Sequence, residues 1–289
     1  MLFKNYQEYL SYEKKFSLNT IAAYIKDVKD FQKFLNDNDT KISSEINYSF
    51  IRQWIVFLSE NKYSKISINR KIASLKSYFN FLVNIGKIQS SPLKAHKNLK
   101  GSSKIVIPFS EEEIKKLFDN FETSKINDRD KLIIEIFYST GMRRDELINI
   151  KIIDIFFDNA MIKIVGKRNK ERMIPILPKL SEQMINYINK NDPKVYLFEI
   201  GKSKKISVST VYRIINKYFR SVSTKVKISP HVLRHSFATH LLNNGADINT
   251  IKEILGHSSL ASTQIYTKIK LPKIISDYKN NHPREIKNR

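Results

Sequence analysis

Between Ser17 and Leu35 the chain runs SLNTIAAYIKDVKDFQKFL, and its apolar residues Ile21, Tyr24, Val28, Phe31 and Leu35 recur every three or four positions. That spacing lays them along one stripe of an α-helix and does not fit the two-residue alternation of a half-buried strand. The stripe returns in ISINRKIASLKSYFNFLVNIG as Ile68, Ile72, Leu75, Phe79 and Leu82, stopping at Gly86. Ser17 stands where an N-cap belongs. Trp54, the single tryptophan, falls in a third apolar segment, SFIRQWIVFLSEN, as a core residue. Residues 1–86 therefore predict a bundle of about four helices.

Periodicity then lapses. Residues 87–106, KIQSSPLKAHKNLKGSSKIV, gain Ser, Pro, Gly and Lys and read as a linker. A second domain, 107–289, opens at PFSEEEIKKLF. There Ser110 and Glu113 form a capping box, and Phe109 with Ile114 a hydrophobic staple. RDKLIIEIFYSTGMRRDELINI predicts a helix ended at Thr140-Gly141 and a second helix after it. The period changes in IDIFFDNAMIKIVGKRNKERMIPIL, where short β-rich runs are broken at Asp158-Asn159 and Gly166–Lys170. This reads as a small antiparallel sheet of about three strands. Beyond residue 180 the pattern is helical again, apart from a short strand expected at VYLF. The fold class is mainly α, a helical bundle followed by a mixed α+β domain.

Charge narrows the partners. The 289 residues carry a formal charge of +23. Residues 1–105 hold 18 Lys/Arg against 8 Asp/Glu, net +10, and residues 106–289 hold 33 against 20, net +13. Part of this reflects a Lys-, Ile- and Asn-rich composition typical of AT-rich genes. A field of this sign on both segments nonetheless suits a polyanion, and nucleic acid is the commonest one in a cell. With no cysteine there are no disulfides and no thiolate metal sites. No apolar run reaches 18 residues and MLFKNYQEYL lacks a signal peptide's apolar core, so a cytoplasmic, nucleoid-associated protein without a membrane partner is expected.

SPHVLRHSFATHLL, residues 229–242, places three histidines and an arginine in an apolar run. Ser229 caps a helix whose first residue is Pro230. His231 and Arg234 then share a face, while His231 and His235 have the spacing of a zincin's paired ligands. Zinc fails on a count: the glutamate that should follow the first histidine is Val232, and His240 lies off that face. No metal and no cofactor are expected. Taken singly, Arg143 in TGMRRDEL, Lys167 in VGKRNKER and Tyr266 in LGHSSLASTQIYT are ordinary solvated charges and a core or surface tyrosine.

Taken together and in order, TGMRRDEL, VGKRNKERMIPI, SPHVLRHSFATHLL and LGHSSLASTQIYT resemble the motifs of the tyrosine site-specific recombinases of the lambda-integrase class, closest to the bacterial Xer type. The resemblance covers roughly 107–282, and the N-terminal bundle resembles that family's SAM-like core-binding domain. It implies that Tyr266 is the nucleophile, Arg143 and Arg234 clamp the phosphate, and Lys167 acts from a β-hairpin. It implies that His231 and His257 complete the catalytic set, with Glu146 supporting Arg143. Arg168 departs from the pattern, standing where a glycine is common.

This set suits attack on a phosphodiester, which builds negative charge on the non-bridging oxygens. Guanidiniums pair with such oxygens bidentately. Tyrosine, with an ordinary pKa of about 10, needs a base, for which His231 is the candidate and His257 the phosphate ligand. Lys204, Lys205, Arg213 and Lys217, in and before SVSTVYRIINKYFR, are candidate DNA contacts. The implied partners are double-stranded DNA with inverted-repeat half-sites and further copies of the chain in a tetramer, or a paralogous recombinase within it. The tail KIKLPKIISDYKNNHPREIKNR, with an apolar face at Ile269, Leu271, Ile274 and Ile275, either packs on its own core or docks on a neighbouring protomer. A type IB topoisomerase and a DNA-binding regulator that keeps the fold are the rival readings.

Overall fold

A computed structural model describes residues 2–37, 46–100, 107–123, 126–166, 170–201, 203–225, 228–256 and 270–285. The chain divides into two compact units, 1–104 and 105–289.

The N-terminal unit is helical. α1 (Leu2–Glu8) runs into a π-helical turn, followed by α2 (Leu18–Asn36), α3 (Tyr48–Glu60) and α4 (Lys65–Asn84). Ser17 and Ser64 cap α2 and α4, each side chain accepting a backbone N–H three residues on, at 3.3 and 3.2 Å. Of the stripes read from sequence, Ile21, Val28, Phe31 and Leu35 of α2 and Ile68, Ile72, Leu75, Phe79 and Leu82 of α4 are all buried. Trp54 of α3 closes the core against Phe31, ring centroids 5.0 Å apart. Each such side chain contributes about 1.5–3 kcal/mol by leaving water. Gly86, at φ +69°, terminates α4. The stretch read as a linker is described to residue 100, and that part lies on this unit. Leu93 is fully buried, Ile88 and Leu99 pack on the core, and the Asn69 amide brackets Leu99 with bonds of 3.0 and 2.9 Å.

In the C-terminal unit α5 (Glu111–Thr123) begins with the capping box. Ser110 N–H donates to Glu113 Oε2 at 2.7 Å, and Glu113 N–H to Ser110 Oγ at 3.2 Å. α6 (Asp128–Thr140) and the single turn α7 (Arg144–Leu147) follow. An antiparallel sheet of β1 (Ile155–Phe156), β2 (Met161–Val165) and β3 (Glu171–Pro175) pairs in the order β1-β2-β3. α8 (Pro178–Asn191), a hairpin of β4 (Glu199–Ile200) and β5 (Lys204–Lys205), α9 (Val208–Phe219), α10 (Pro230–Asn243), α11 (Ile248–Leu255) and α12 (Lys270–Asn281) complete it.

The strand expected at VYLF falls later. Within 195–198 only Tyr196 makes an isolated bridge, and β4 begins at Glu199. The cause is Glu199 itself, whose carboxylate accepts the backbone N–H groups of Lys194, Val195 and Tyr196 and folds that stretch into a turn. The described part of the tail lies on the core of its own chain. Ile274 and Tyr278 of α12 and then His282 are buried on the C-terminal core, and Arg284 makes a bidentate pair with the buried Glu135 at 2.8 Å. Ile275 is half-buried, Ile269 lies outside the described residues, and nothing is described of the Leu271 side chain.

Candidate active site

The C-terminal ends of two helices, α6 and α11, meet the middle of α10 at Gly141. This residue ends α6 with φ +58°, a left-handed conformation that glycine adopts without penalty. A Cβ there would sit 2.2 Å from Phe237 Cδ1 of α10 and 2.8 Å from Leu255 Cδ2 at the end of α11. Glycine thus lets α6, α10 and α11 converge, and the terminal carbonyls of α6 and α11 face Arg234. Arg234 reaches them from within α10: Nη1 donates to Gly141 O at 2.6 Å and Nη2 to Leu255 O at 2.7 Å. Burial first, and the nearby Arg143 charge second, lower its pKa to about 10, so it remains cationic at neutral pH.

Glu146 organises the rest. Its carboxylate accepts the Arg143 backbone N–H at 2.7 Å and Arg143 Nη1 at 2.8 Å. It also takes both terminal nitrogens of Arg172, at 2.8 and 2.7 Å. Burial would raise this carboxyl, but the hydrogen bonds and charge of Arg172 and the bonds from Arg143 outweigh it and hold it at about 2. Arg172 Nε donates to Ile254 O at 2.8 Å, and Arg143 Nη2 to Gly256 O at 3.2 Å. Three guanidiniums against one carboxylate leave a local charge of +2, with Arg172 and Arg234 buried and Arg143 half-exposed. Such a cluster can hold a dianionic oxygen array.

Because the folded state holds the Glu146 proton less tightly than the unfolded chain, its ionisation stabilises the fold above pH 4.5. The contribution is about 3 kcal/mol at neutral pH. It fades as pH falls from 4.5 towards 2. Thermal melts should show the gap between wild type and Glu146→Gln closing over that range. A gap that stays constant down to the lower limit would mean that Glu146 is not held ionised by its arginines.

Of the residues picked from sequence, the structure brings together Arg143, Glu146 and Arg234. His231 is exposed in the first turn of α10, one turn before Arg234. Lys167, His257 and Tyr266 lie outside the described residues. The described residues just before Lys167 and His257 lie at the cluster: a Cβ added to Gly166 would be 3.4 Å from Glu146 Oε1, and Gly256 is held by Arg143 and packs on Arg172. His240 is a core residue, bonded through Nδ1 to Tyr138 Oη at 2.9 Å and through Nε2 to Phe109 O at 2.8 Å. His235, placed by sequence in packing or a supporting hydrogen bond, is instead exposed. Lys204 and Lys205 stand exposed on β5, and Arg213 and Lys217 one turn apart on the outer face of α9. Arg172 was missed. Its signal is strand alternation, since it shares a face with the buried Ile174 where a solvated arginine does not belong.

A helical domain that gathers guanidiniums around one carboxylate has the charge to hold a phosphate ester. The chain belongs to the phage integrase family: the profile "Phage integrase family" matches residues 107–271, and "Phage integrase, N-terminal SAM-like domain" matches residues 3–86. A "Tyrosine recombinase" of Pseudothermotoga lettingae is 37% identical, over 93% of this chain and 93% of that one. "Tyrosine recombinase XerC" of Syntrophus aciditrophicus is 34% identical over 98% and 97%. Among solved structures, XerH site-specific recombinase bound to palindromic difH substrate superposes with a TM-score of 0.72. It covers 94% of this chain and 79% of that one at 19% identity, a likeness of fold. Among the described residues no helix is long and apolar enough to cross a membrane.

Proposed function

We propose that this chain is a site-specific DNA recombinase that cuts and rejoins strands through a 3′-phosphotyrosine on Tyr266. The observation that carries the reading is the cluster of buried Glu146, Arg172 and Arg234 with the half-exposed Arg143, with Gly166 and Gly256, the residues before Lys167 and His257, both against it. The Tyr266 oxygen attacks phosphorus and its proton passes to His231. The P–O5′ bond breaks, and the departing oxygen takes a proton from Lys167. Arg143 and Arg234 stabilise the charge on the non-bridging oxygens, joined by His257. The phosphotyrosyl link conserves the energy of the broken ester, so a second 5′-hydroxyl reverses the step without ATP.

DNA is the substrate, held mainly through phosphates and therefore with steep salt dependence. Residues 1–86 and Lys204, Lys205, Arg213 and Lys217 supply contacts around it, on inverted half-sites within a tetramer. Full-length similarity to proteins called XerC supports an Xer-type role. The test is SDS-stable attachment of the protein to a nicked suicide duplex, and its absence on all genomic fragments overturns the reading. The proton donor has its own test. A substrate with a 5′-bridging sulfur needs no protonation on departure, so it should restore cleavage by Lys167→Ala to within about tenfold of wild type. Failure of rescue would move the acid to another residue.

A further inference from the structure

The N-terminal unit contains a buried carboxylate whose acceptor sites are all taken. Asp27 of α2 is 1% exposed. It accepts Arg70 Nη1 at 2.5 Å, Arg70 Nη2 at 3.0 Å, Lys71 Nζ at 3.1 Å and Ser74 Oγ at 2.8 Å. All these donors come from adjacent turns of α4, and a carboxylate offers about four lone-pair sites. Lys71 also donates to Asp30 at 2.7 Å and lies 5.8 Å from the Trp54 ring. Burial would strip its proton, but the bonds to Asp30 and Asp27 outweigh this and push its pKa up.

Arg70 differs from its neighbours. Its side chain is 49% exposed although both terminal nitrogens are bonded to a carboxylate that is 2% exposed. A guanidinium has five N–H donors. Two face Asp27, and the others belong to a fork that bidentate pairing holds in one plane. The exposed residues flanking it along α4 are Ala73, Lys76 and Asn80, and those along α2 are Lys26, Lys29 and Lys33. Asp27 is turned inward from these faces. Two acids and two bases make the quartet Asp27, Asp30, Arg70 and Lys71 neutral, so any grip on a phosphate comes from the placement of Arg70 rather than from excess charge.

We propose that Asp27 is a positioning residue for DNA, presenting the Arg70 guanidinium to a backbone phosphate of a duplex that lies on the α2 and α4 faces. The inference rests on the DNA-acting reading above. Charge and placement predict opposite signs, which makes it testable. Asp27→Asn adds one positive charge. If Asp27 only neutralises its neighbours, the variant binds DNA more tightly. If it positions Arg70, the variant binds more weakly despite the added charge.

The experiment measures fluorescence anisotropy of a labelled mixed-sequence duplex with the full-length protein, across about 50–200 mM salt, corrected for folded fraction by circular dichroism. Arg70→Gln should weaken binding severalfold and flatten the log–log salt slope by about 0.9, the loss of one phosphate contact. Asp27→Asn should fall to the same affinity, and the double variant no further. Asp30→Asn, which adds the same charge but leaves Arg70 held, should bind as wild type or tighter. Should Asp27→Asn fail to fold, Arg70→Lys decides: it keeps the charge but loses the fork, so affinity falls while the slope stays. A wild-type slope and affinity for Arg70→Gln, or tighter binding by folded Asp27→Asn, overturns the proposal and leaves the recombinase reading intact. Wild-type protein that binds no duplex overturns that reading itself.

Discussion

Tyr266→Phe should yield no SDS-stable DNA adduct while binding duplex DNA as tightly as wild type. The substitution removes one oxygen and keeps the ring. Affinity is unchanged because phosphate contacts come from arginines and lysines, whereas cleavage ends because phenylalanine has no atom to attack phosphorus. Loss of an enzyme's nucleophile registers on the order of 10⁶-fold in rate. Among the described residues, no tyrosine of the C-terminal core near α6 is suited to substitute. Tyr278 is fully buried and its hydroxyl donates to Ser139 O, and burial pushes its pKa well above the ordinary value. Tyr138 is likewise buried and bonded to His240. Gel analysis of a nicked suicide substrate decides the matter. An adduct that survives in Tyr266→Phe, mapped by peptide mass to a different residue, would reassign the nucleophile.

Arg143→Ala and Arg172→Ala should separate chemistry from architecture. The Arg143 side chain is 42% exposed, and Glu146 keeps both bonds to Arg172 without it. Its removal should slow adduct formation by about 10²–10³-fold, the scale for one preorganised donor. The melting temperature should hardly move, as for other half-exposed pairs, worth about 0–1 kcal/mol. Arg172 is 6% exposed, and its loss leaves Glu146 buried with half its partners and takes a donor from the Ile254 carbonyl. Breaking a buried pair costs about 3–5 kcal/mol. For a unit of this size that lowers the melting temperature by roughly 6–20 °C. Melts and adduct rates from the same preparations test both. Near-wild-type melting of Arg172→Ala alongside collapse of Arg143→Ala would invert the assignment.

Local rules made much of the fold legible. Three- and four-residue spacing identified α2 and α4 because an amphipathic helix declares its buried face in one dimension. Ser17, Ser110 and Ser229 marked helix starts because capping is a contact between residues three apart. The three-stranded sheet was legible from the change to a two-residue period and the turns at Asp158-Asn159 and Gly166. The VYLF strand was displaced because Glu199, from just beyond it, claimed three backbone N–H groups, a competition that periodicity does not register.

Residue order alone specified helices, caps, the sheet and a basic chain, and the four motifs carried the family. Folding in three dimensions supplied what joins distant segments. Arg172 and Glu146, 26 residues apart, share one ion pair, and Arg234 bonds a carbonyl 93 residues away. It also separated the three histidines of SPHVLRHSFATHLL into two exposed residues and one buried in the core. The physical reason is that capping and periodicity act over one or two helical turns. Burial of a charge depends on which helix ends arrive beside it, and here that was settled by how closely Gly141 lets α6, α10 and α11 approach.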